Sequence, residues 1–374
     1  MVIAVSTRFL VKDECSEHGN FVNEVFLRIA KHHHQHTFIF IFDKPYDPSF
    51  IFYENIIPVV TRPQAKNPAQ WYIWYNIKIP AIIKKYKADI FVSNDGLCSL
   101  KIKVPQCMLM YDLTFLNSIM IKKSHSLFYK KFTPKFIKKA NVIVTPSNFI
   151  KANIIKNYKI NDDKIQVVYG GTSENCIPVS IEEKETVKQK YADGNEYFIY
   201  TGEIDPGKNL LNLLKAFSAF KKRQKSNMQL IIAGNPGRKY NEFTENIRLF
   251  RFKEEVKILE NLPGEEIVKV TASAYAMVYP SVSESFGTQA LQAMKCGVPV
   301  ITSPDTVMAE ICADAALYAD PENFKAIAVQ MMLIFKNETL RNTLIEKGKS
   351  QVKKYSWNIA AELFWKSIEK TMPA

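Results

Sequence analysis

The sequence is poor in the features that mark secreted, metal-stapled or membrane-spanning chains. It carries 6 cysteines in 374 residues. These are Cys15, Cys98, Cys107, Cys176, Cys296 and Cys312, far apart and without a Cys-x-x-Cys pair, which argues for reduced thiols in a core and against zinc or a disulfide framework. No apolar run reaches the roughly 20 residues that a bilayer span needs. No charged-then-apolar leader with a cleavage site opens the chain, so a cytoplasmic location is expected. Gly-x-Gly-x-x-Gly is missing, which leaves dinucleotide binding of the dehydrogenase kind without support, and there is no internal repeat or low-complexity tract. No Asp-x-Asp cluster stands ready to hold Mg²⁺ on a diphosphate. Acidic residues are the minority charge, 37 against 50 Lys and Arg, for a formal net charge of +13. That balance favours an anionic partner: nucleic acid, an acidic membrane surface or a phosphorylated substrate.

What the chain has is alternation, over a length that suits two globular domains. Val2 to Val5 is a predicted strand, Asn20 to His32 a helix, Thr37 to Phe42 a strand, Trp71 to Lys85 a helix and Asp89 to Val92 a strand. Gln106 to Tyr111, Asn141 to Thr145 and Ile165 to Tyr169 follow as strands, around a helical stretch from Ser126 to Lys139. Their continuous apolar character suits strands buried on both faces of a parallel sheet. Gly170 to Glu196 breaks the rhythm with Gly-Gly, Pro178, a charged segment and Asp193-Gly194. Strands resume at Tyr197 to Thr201, Gln229 to Ala233, Val256 to Leu259, Tyr275 to Tyr279 and Val298 to Thr302, with helices such as Leu210 to Arg223 between them. The expected class is α/β: a doubly wound domain at 1–175, a linker at 176–196, a second domain at 197–354 and a terminal helix in 355–374.

The stretch Tyr279 to Thr302 carries the chemistry. Small polar residues turn at Ser281 to Gly287, and Ala290, Leu291 and Met294 then form one helical stripe, stopped by Gly297 and Pro299. A helix opening at Gly287 aims unpartnered N–H groups and the positive end of its dipole at an anion. Glu284, at the same mouth, repels phosphate but accepts from hydroxyls, so a ligand with both phosphate and polyol, such as a sugar nucleotide, reconciles the two. A second motif runs from Tyr200 to Asn209. Its strand ends at Thr201, its loop is shaped by Gly202 and Pro206-Gly207, and Lys208 precedes an apolar-striped helix, where an ammonium can face a diphosphate.

Glu284-Ser-Phe-Gly287, Gln292 and the run Ala293 to Ile301 resemble the donor-binding signature of the retaining two-domain glycosyltransferases called family four, or glycosyl transferases group one. Gly202-x-x-x-Pro-x-Lys208-Asn209 is similar to a second signature of that family, and the likeness runs from Val2 to about Lys370. The resemblance implies two facing Rossmann-like doubly wound domains of the GT-B type with a cleft between them, the last helix packing back on the first domain. It implies a metal-independent hexosyl transfer, without cofactor, from a UDP- or GDP-sugar to a hydroxyl of a glycan or lipid-linked acceptor in cell-surface polysaccharide assembly. In that reading Lys208 and the N–H groups near Gly287 and Thr288 hold the leaving diphosphate, Glu284 orients the sugar and Gln292 takes the ribose. Gly19, Gly202, Asn209, Ser285 and Phe286 complete the donor site. Asp112, in Tyr111-Asp-Leu-Thr-Phe115, either bonds an acceptor hydroxyl or caps a helix. Three departures from the family pattern stand out: Gln292 in place of an acid, Glu203 and Gly207 where an Arg is usual, and Tyr111 in place of a His. Arg238 and Lys239 are the cations expected to make up the missing charge. These departures keep open a second function, a sugar-nucleotide-binding subunit impaired in catalysis.

Two tracts invite other readings. His32-His-His-Gln-His36 is either a metal ligand set or a loop closing a surface helix. Between Lys122 and Lys139 seven lysines interleave with Phe128, Tyr129, Phe132 and Phe136. This is either a basic helix on an anionic membrane surface, which would make the protein peripheral, or a domain helix with its Phe stripe on the sheet. No nucleic-acid module is visible, and no nucleic-acid partner is expected.

Overall fold

The computed structural model describes residues 1–11, 16–113, 115, 123–205, 208–237 and 240–372. The chain divides into two compact units, Met1–Gly171 with Ser356–Ala374, and Thr172–Tyr355.

In the first unit the described strands are β1 (Val2–Ser6), β2 (Thr37–Phe42), β3 (Ile56–Val60), β4 (Ile90–Ser93), β5 (Gln106–Leu109), β6 (Val142–Thr145) and β7 (Ile165–Val167). All pair in parallel, in the order β3-β2-β1-β4-β5-β6-β7. The helices are α1 (Glu17–His32), α2 (Pro68–Ile73), α3 (Ile79–Tyr86), α4 (Lys123–Lys139) and α5 (Asn148–Tyr158), a π-helical turn joining α2 to α3. Successive strand residues point to opposite faces. Ile3, Val5, Phe38, Phe40 and Phe42 enter one core, closed by Phe21 and Phe26 of α1 and by Phe364 and Ile368 of the last helix, Trp357–Thr371. Ala4, Ile39 and Ile41 enter the other, closed by Trp71, Trp74 and Ile79 and by Phe128 and Phe136 of α4. Phe128 and Phe136 of the lysine-rich tract therefore face the sheet, while Lys123, Lys130, Lys131, Lys135 and Lys138 are exposed.

The second unit repeats the plan with β8 (Tyr197–Thr201), β9 (Gln229–Gly234), β10 (Val256–Glu260), β11 (Ala276–Tyr279), β12 (Val300–Thr302) and β13 (Ala316–Tyr318), parallel in the order β10-β9-β8-β11-β12-β13. Its helices are α6 (Ile181–Tyr191), α7 (Leu210–Gln224), α8 (Tyr240–Ile247), α9 (Gly264–Ala272), α10 (Thr288–Lys295), α11 (Val307–Cys312), α12 (Phe324–Lys336) and α13 (Glu338–Val352). Both units are Rossmann-like.

Several elements differ from the sequence pattern: β13 was not read as a strand, the helix read at Trp71 to Lys85 is broken by the π-helical turn, and three further differences have a local cause. Residues 176–196, read as a linker, hold α6, which Ser180 caps and whose Glu182, Glu183, Lys188 and Lys190 match the helix dipole at either end. Strand β3 was hidden by Pro58, which a sheet edge tolerates because one row of its N–H groups has no ladder partner. Helix α1 begins at Glu17 rather than Asn20, because the Ser16 side chain accepts from the Gly19 amide and starts the helix early. The described cysteines, Cys98, Cys107, Cys176, Cys296 and Cys312, are buried thiols, and Cys15 lies outside the described residues.

Candidate functional site

Strand order in an open parallel sheet reverses at one point, and the crevice beyond the carboxyl ends there is where ligands bind. In the second unit the reversal falls between β8 and β11. Lys208 lies on the loop after β8 and Glu284 on the loop after β11, so the pairing of these strands brings together residues 76 positions apart.

Lys208 Nζ sits 2.9 Å from Glu284 Oε1. The same oxygen accepts from the Tyr279 hydroxyl at 3.0 Å and from Ser281 Oγ at 2.7 Å. The Glu284 side chain is 5% exposed and that of Lys208 28%, so the carboxylate is buried and the lysine side chain only partly so. A buried carboxylate is costly unless donors surround it, and three do. All three converge on Oε1. The ring of Tyr279 is fixed by stacking on Tyr200, with centroids 5.3 Å apart and planes 7° from parallel. The Tyr200 hydroxyl donates to the Glu203 carbonyl at 3.1 Å. Burial first, then the nearby charges of Glu284, Glu203 and Asp205, push this phenol well above its usual range, so it stays a neutral donor.

Two glycines allow the loops to approach. A Cβ on Gly234, at the end of β9, would lie 1.7 Å from the Gly202 carbonyl oxygen, backbone against backbone. Gly287 takes φ 96° at the start of α10, where a Cβ would meet Met308 Sδ at 2.7 Å. No side chain caps α10 at Gly287. Phe286 and Thr288 are buried, while Ser285 and Gln292 are half-buried. Asn209 is left-handed at φ 64° before α7. Its Nδ2 donates to the Pro280 carbonyl at 2.8 Å and the Pro321 carbonyl at 2.7 Å. Its amide hydrogens thereby brace the loop that carries Glu284. Arg238 and Lys239 lie outside the described residues.

Gly19 and Asp112 belong to the first unit. Gly19 was expected in a loop approaching phosphate. It stands instead in the first turn of α1, its N–H given to Ser16 Oγ at 3.1 Å, and a Cβ there would lie 2.6 Å from the Phe9 carbonyl oxygen. Its lack of a side chain serves helix-to-loop packing. Asp112 follows β5, and its neighbour Tyr111 stacks on His18 with centroids 4.8 Å apart. Burial pushes the His18 imidazole down to about 4, against the opposing pull of Asp112. His18 was not singled out from the sequence, nor was the ion cluster at the reversal of this sheet. There Arg8, after β1, meets Asp95, after β4, at 2.6 Å and Asp43, after β2, at 3.4 Å. The Tyr75 hydroxyl also donates to Asp95. A charged residue just past each of three apolar runs was the available signal, and the neighbouring of those runs was not.

Of the histidine tract, His33 stacks on Trp365 at 3.7 Å and His36 Nδ1 pairs with the N-terminal amine at 3.0 Å. Among the described residues no three His, Cys, Asp or Glu side chains form a metal set, and no helix is long and apolar enough to cross a membrane.

Two family models match the chain, Glycosyltransferase Family 4 over residues 19–175 and Glycosyl transferases group 1 over residues 181–351. The second spans both the Lys208 and the Glu284 loops. The chain belongs to this glycosyltransferase family. The chain is 30% identical over 236 residues to the O-antigen chain mannosyltransferase B of Escherichia coli, an alignment covering 63% of this chain and 62% of that protein. It is 25% identical over 279 residues to the O-antigen chain mannosyltransferase RfbU of Salmonella typhimurium, covering 73% of this chain and 72% of that one. The crystal structure of Anabaena HepE in complex with UDP and glucose shares the fold of this chain with a TM-score of 0.76 at 14% identity, over 99% of both chains.

Proposed function

We propose that this glycosyltransferase moves a hexose, with retention, from a nucleoside diphosphate sugar to a hydroxyl of a glycan or lipid-linked acceptor in cell-surface polysaccharide assembly. The observation that carries the reading is the Lys208–Glu284 pair, 2.9 Å apart beside the start of α10. An ammonium and a helix N-terminus favour the diphosphate, and Glu284 favours the sugar's hydroxyls. The relatives' names and the UDP and glucose held by HepE support a sugar nucleotide as donor, here a UDP- or GDP-sugar.

In the transfer, the bond from the anomeric carbon to the diphosphate oxygen breaks. The acceptor oxygen bonds to the same face of that carbon and its proton passes to the leaving phosphate. Lys208 and the N–H groups near Gly287 and Thr288 stabilise the charge that builds on the diphosphate, and Glu284 orients the ring. Gln292 offers a carbonyl and an amide to the ribose. This scheme calls on no resident metal or cofactor. Arg238 is assigned to the diphosphate, and Asp112 to an acceptor hydroxyl. The enzyme works from the cytoplasm at the inner face of the membrane.

A thermal-shift panel of UDP- and GDP-sugars, followed by assay of nucleoside diphosphate release, tests the reading. A ligand at a hundredfold excess over its Kd adds about 2.7 kcal/mol to the native state. A shift accompanied by slow donor hydrolysis supports the enzyme. A shift without turnover supports the binding subunit, which the exposed carboxylate of Glu203 in the Lys208 loop favours. No shift with any sugar nucleotide refutes both.

A further inference from the structure

Two thiols of the second unit lie side by side. Cys176 belongs to the segment that enters this unit at Thr172, and Cys296 closes α10 at its carboxyl end. Contacts on either side hold the two stretches together. The Ser173 carbonyl accepts from the Cys176 amide at 3.3 Å and from Lys295 Nζ, 122 positions away in sequence, at 2.8 Å. The turn at 173–176 is thereby seated on the residue before Cys296. Beyond the pair, a Cβ on Gly297 would lie 3.6 Å from Pro178 Cγ. Bracketed in this way, the two thiols hydrogen-bond to each other.

The other described cysteines are placed differently. Cys107 enters one core of the first unit and Cys98 the other. Burial pushes Cys107 and Cys312 up to about 12, which leaves them inert. In the pair, the bond from the Cys296 thiol, aided by Lys295, holds Cys176 below the usual thiol range against the opposing effect of burial, while Cys296 is pushed up and keeps its proton. Cys176 is the nucleophile of the two. Both are buried, yet Ser173, Glu174, Asn175, Ile177 and Pro178 around Cys176 are exposed, so a single surface turn covers the pair. Turns of this kind open locally at little cost.

We infer that Cys176 and Cys296 form a redox dithiol that a low-molecular-weight disulfide converts into an intramolecular disulfide, tying the entry segment of the second unit to α10. The Cys176 thiolate attacks one sulfur of the reagent, forming a mixed disulfide and expelling one thiolate. Cys296 then attacks the Cys176 sulfur, breaking the mixed disulfide and expelling the second. Two protein thiols are oxidised, the reagent's disulfide is reduced to two thiols, and both protons end on them. This chemistry draws on no sugar nucleotide and leaves the transfer reading untouched.

The experiment is incubation of the folded full chain with glutathione disulfide, acid quenching, alkylation in denaturant and peptide mass spectrometry before and after dithiothreitol. All but two of the 6 cysteines are alkylated, and a Cys176–Cys296 cross-linked peptide appears that dithiothreitol abolishes. The oxidised chain melts roughly 5–15 °C higher than the reduced one. Cys296→Ala retains the reagent as a mixed disulfide on Cys176, whereas Cys176→Ala takes up about ten-fold less. The wild-type cross-link is read independently of whether either variant folds. No cross-link in the folded chain, a cross-link that forms only in urea or lowers the melting temperature, or equal oxidation of Cys98, Cys107 or Cys312 overturns the inference.

Discussion

Replacing Lys208 by alanine probes the site most directly. The substitution removes a donor 2.9 Å from Glu284 Oε1 and leaves Tyr279 and Ser281 on that oxygen. Two of three bonds survive and Lys208 is partly solvated, so the native state loses about 1–2 kcal/mol, less than the 3–5 kcal/mol typical of breaking a fully buried pair. For a unit of this size that is a fall in Tm of roughly 2–8 °C. Turnover falls much further. A lysine facing the extra charge that builds on the departing diphosphate is worth two to four powers of ten in rate, about 3–5 kcal/mol of barrier. Single-turnover release of nucleoside diphosphate at saturating donor reads the chemical step, and a melting curve of the same sample reads the fold. Adding Glu284→Gln completes a double-mutant cycle, with a stability coupling of about 1–3 kcal/mol expected between contacting groups. A Lys208→Ala enzyme turning over at the wild-type rate would remove this residue from the mechanism, and a coupling of zero would remove the ion pair.

Other outcomes follow from the same coordinates. Gly234→Ala places a methyl 1.7 Å from the Gly202 carbonyl oxygen, where neither backbone can retreat; a loss of about 4 kcal/mol or more, or failure to fold, is expected by urea denaturation, and a wild-type midpoint contradicts the close approach. Asn209→Ala forfeits the bonds to the Pro280 and Pro321 carbonyls and strains a left-handed residue, costing about 2–4 kcal/mol; Asn209→Gly relieves only the strain and recovers only part of that. His18 is held neutral by burial, its native pKa of about 4 lying below the ordinary 6.5. Its contribution is therefore full above pH 6.5 and lost as pH falls toward 4, up to about 3 kcal/mol. His18→Gln flattens the melting profile between those limits, and an unchanged acid limb refutes the assignment.

Much of the fold was legible because its signals are local. Strands β8 and β11 are short apolar runs, and the stripe of α7 repeats at helical spacing, so each announces itself within a few residues. Lys208 and Glu284 were legible in the same way, each beside a glycine-shaped loop at a helix start. The misreadings have local causes too. Ser16 caps α1 early and draws Gly19 into the helix, while α6 hides in a charged segment whose apolar face is slight.

By itself the sequence determined the alternation of strand and helix, the two loop-to-helix motifs that carry Lys208 and Glu284 and the basic balance, because backbone preference, hydrophobic period and charge are written residue by residue. The tertiary structure alone decided that β8 lies against β11, that one carboxylate oxygen gathers three donors and that the Asn209 side chain braces the loop carrying Glu284. Those facts depend on strand order and on side chains meeting across long stretches of chain, and a linear pattern does not encode which buried runs become neighbours until the sheet forms.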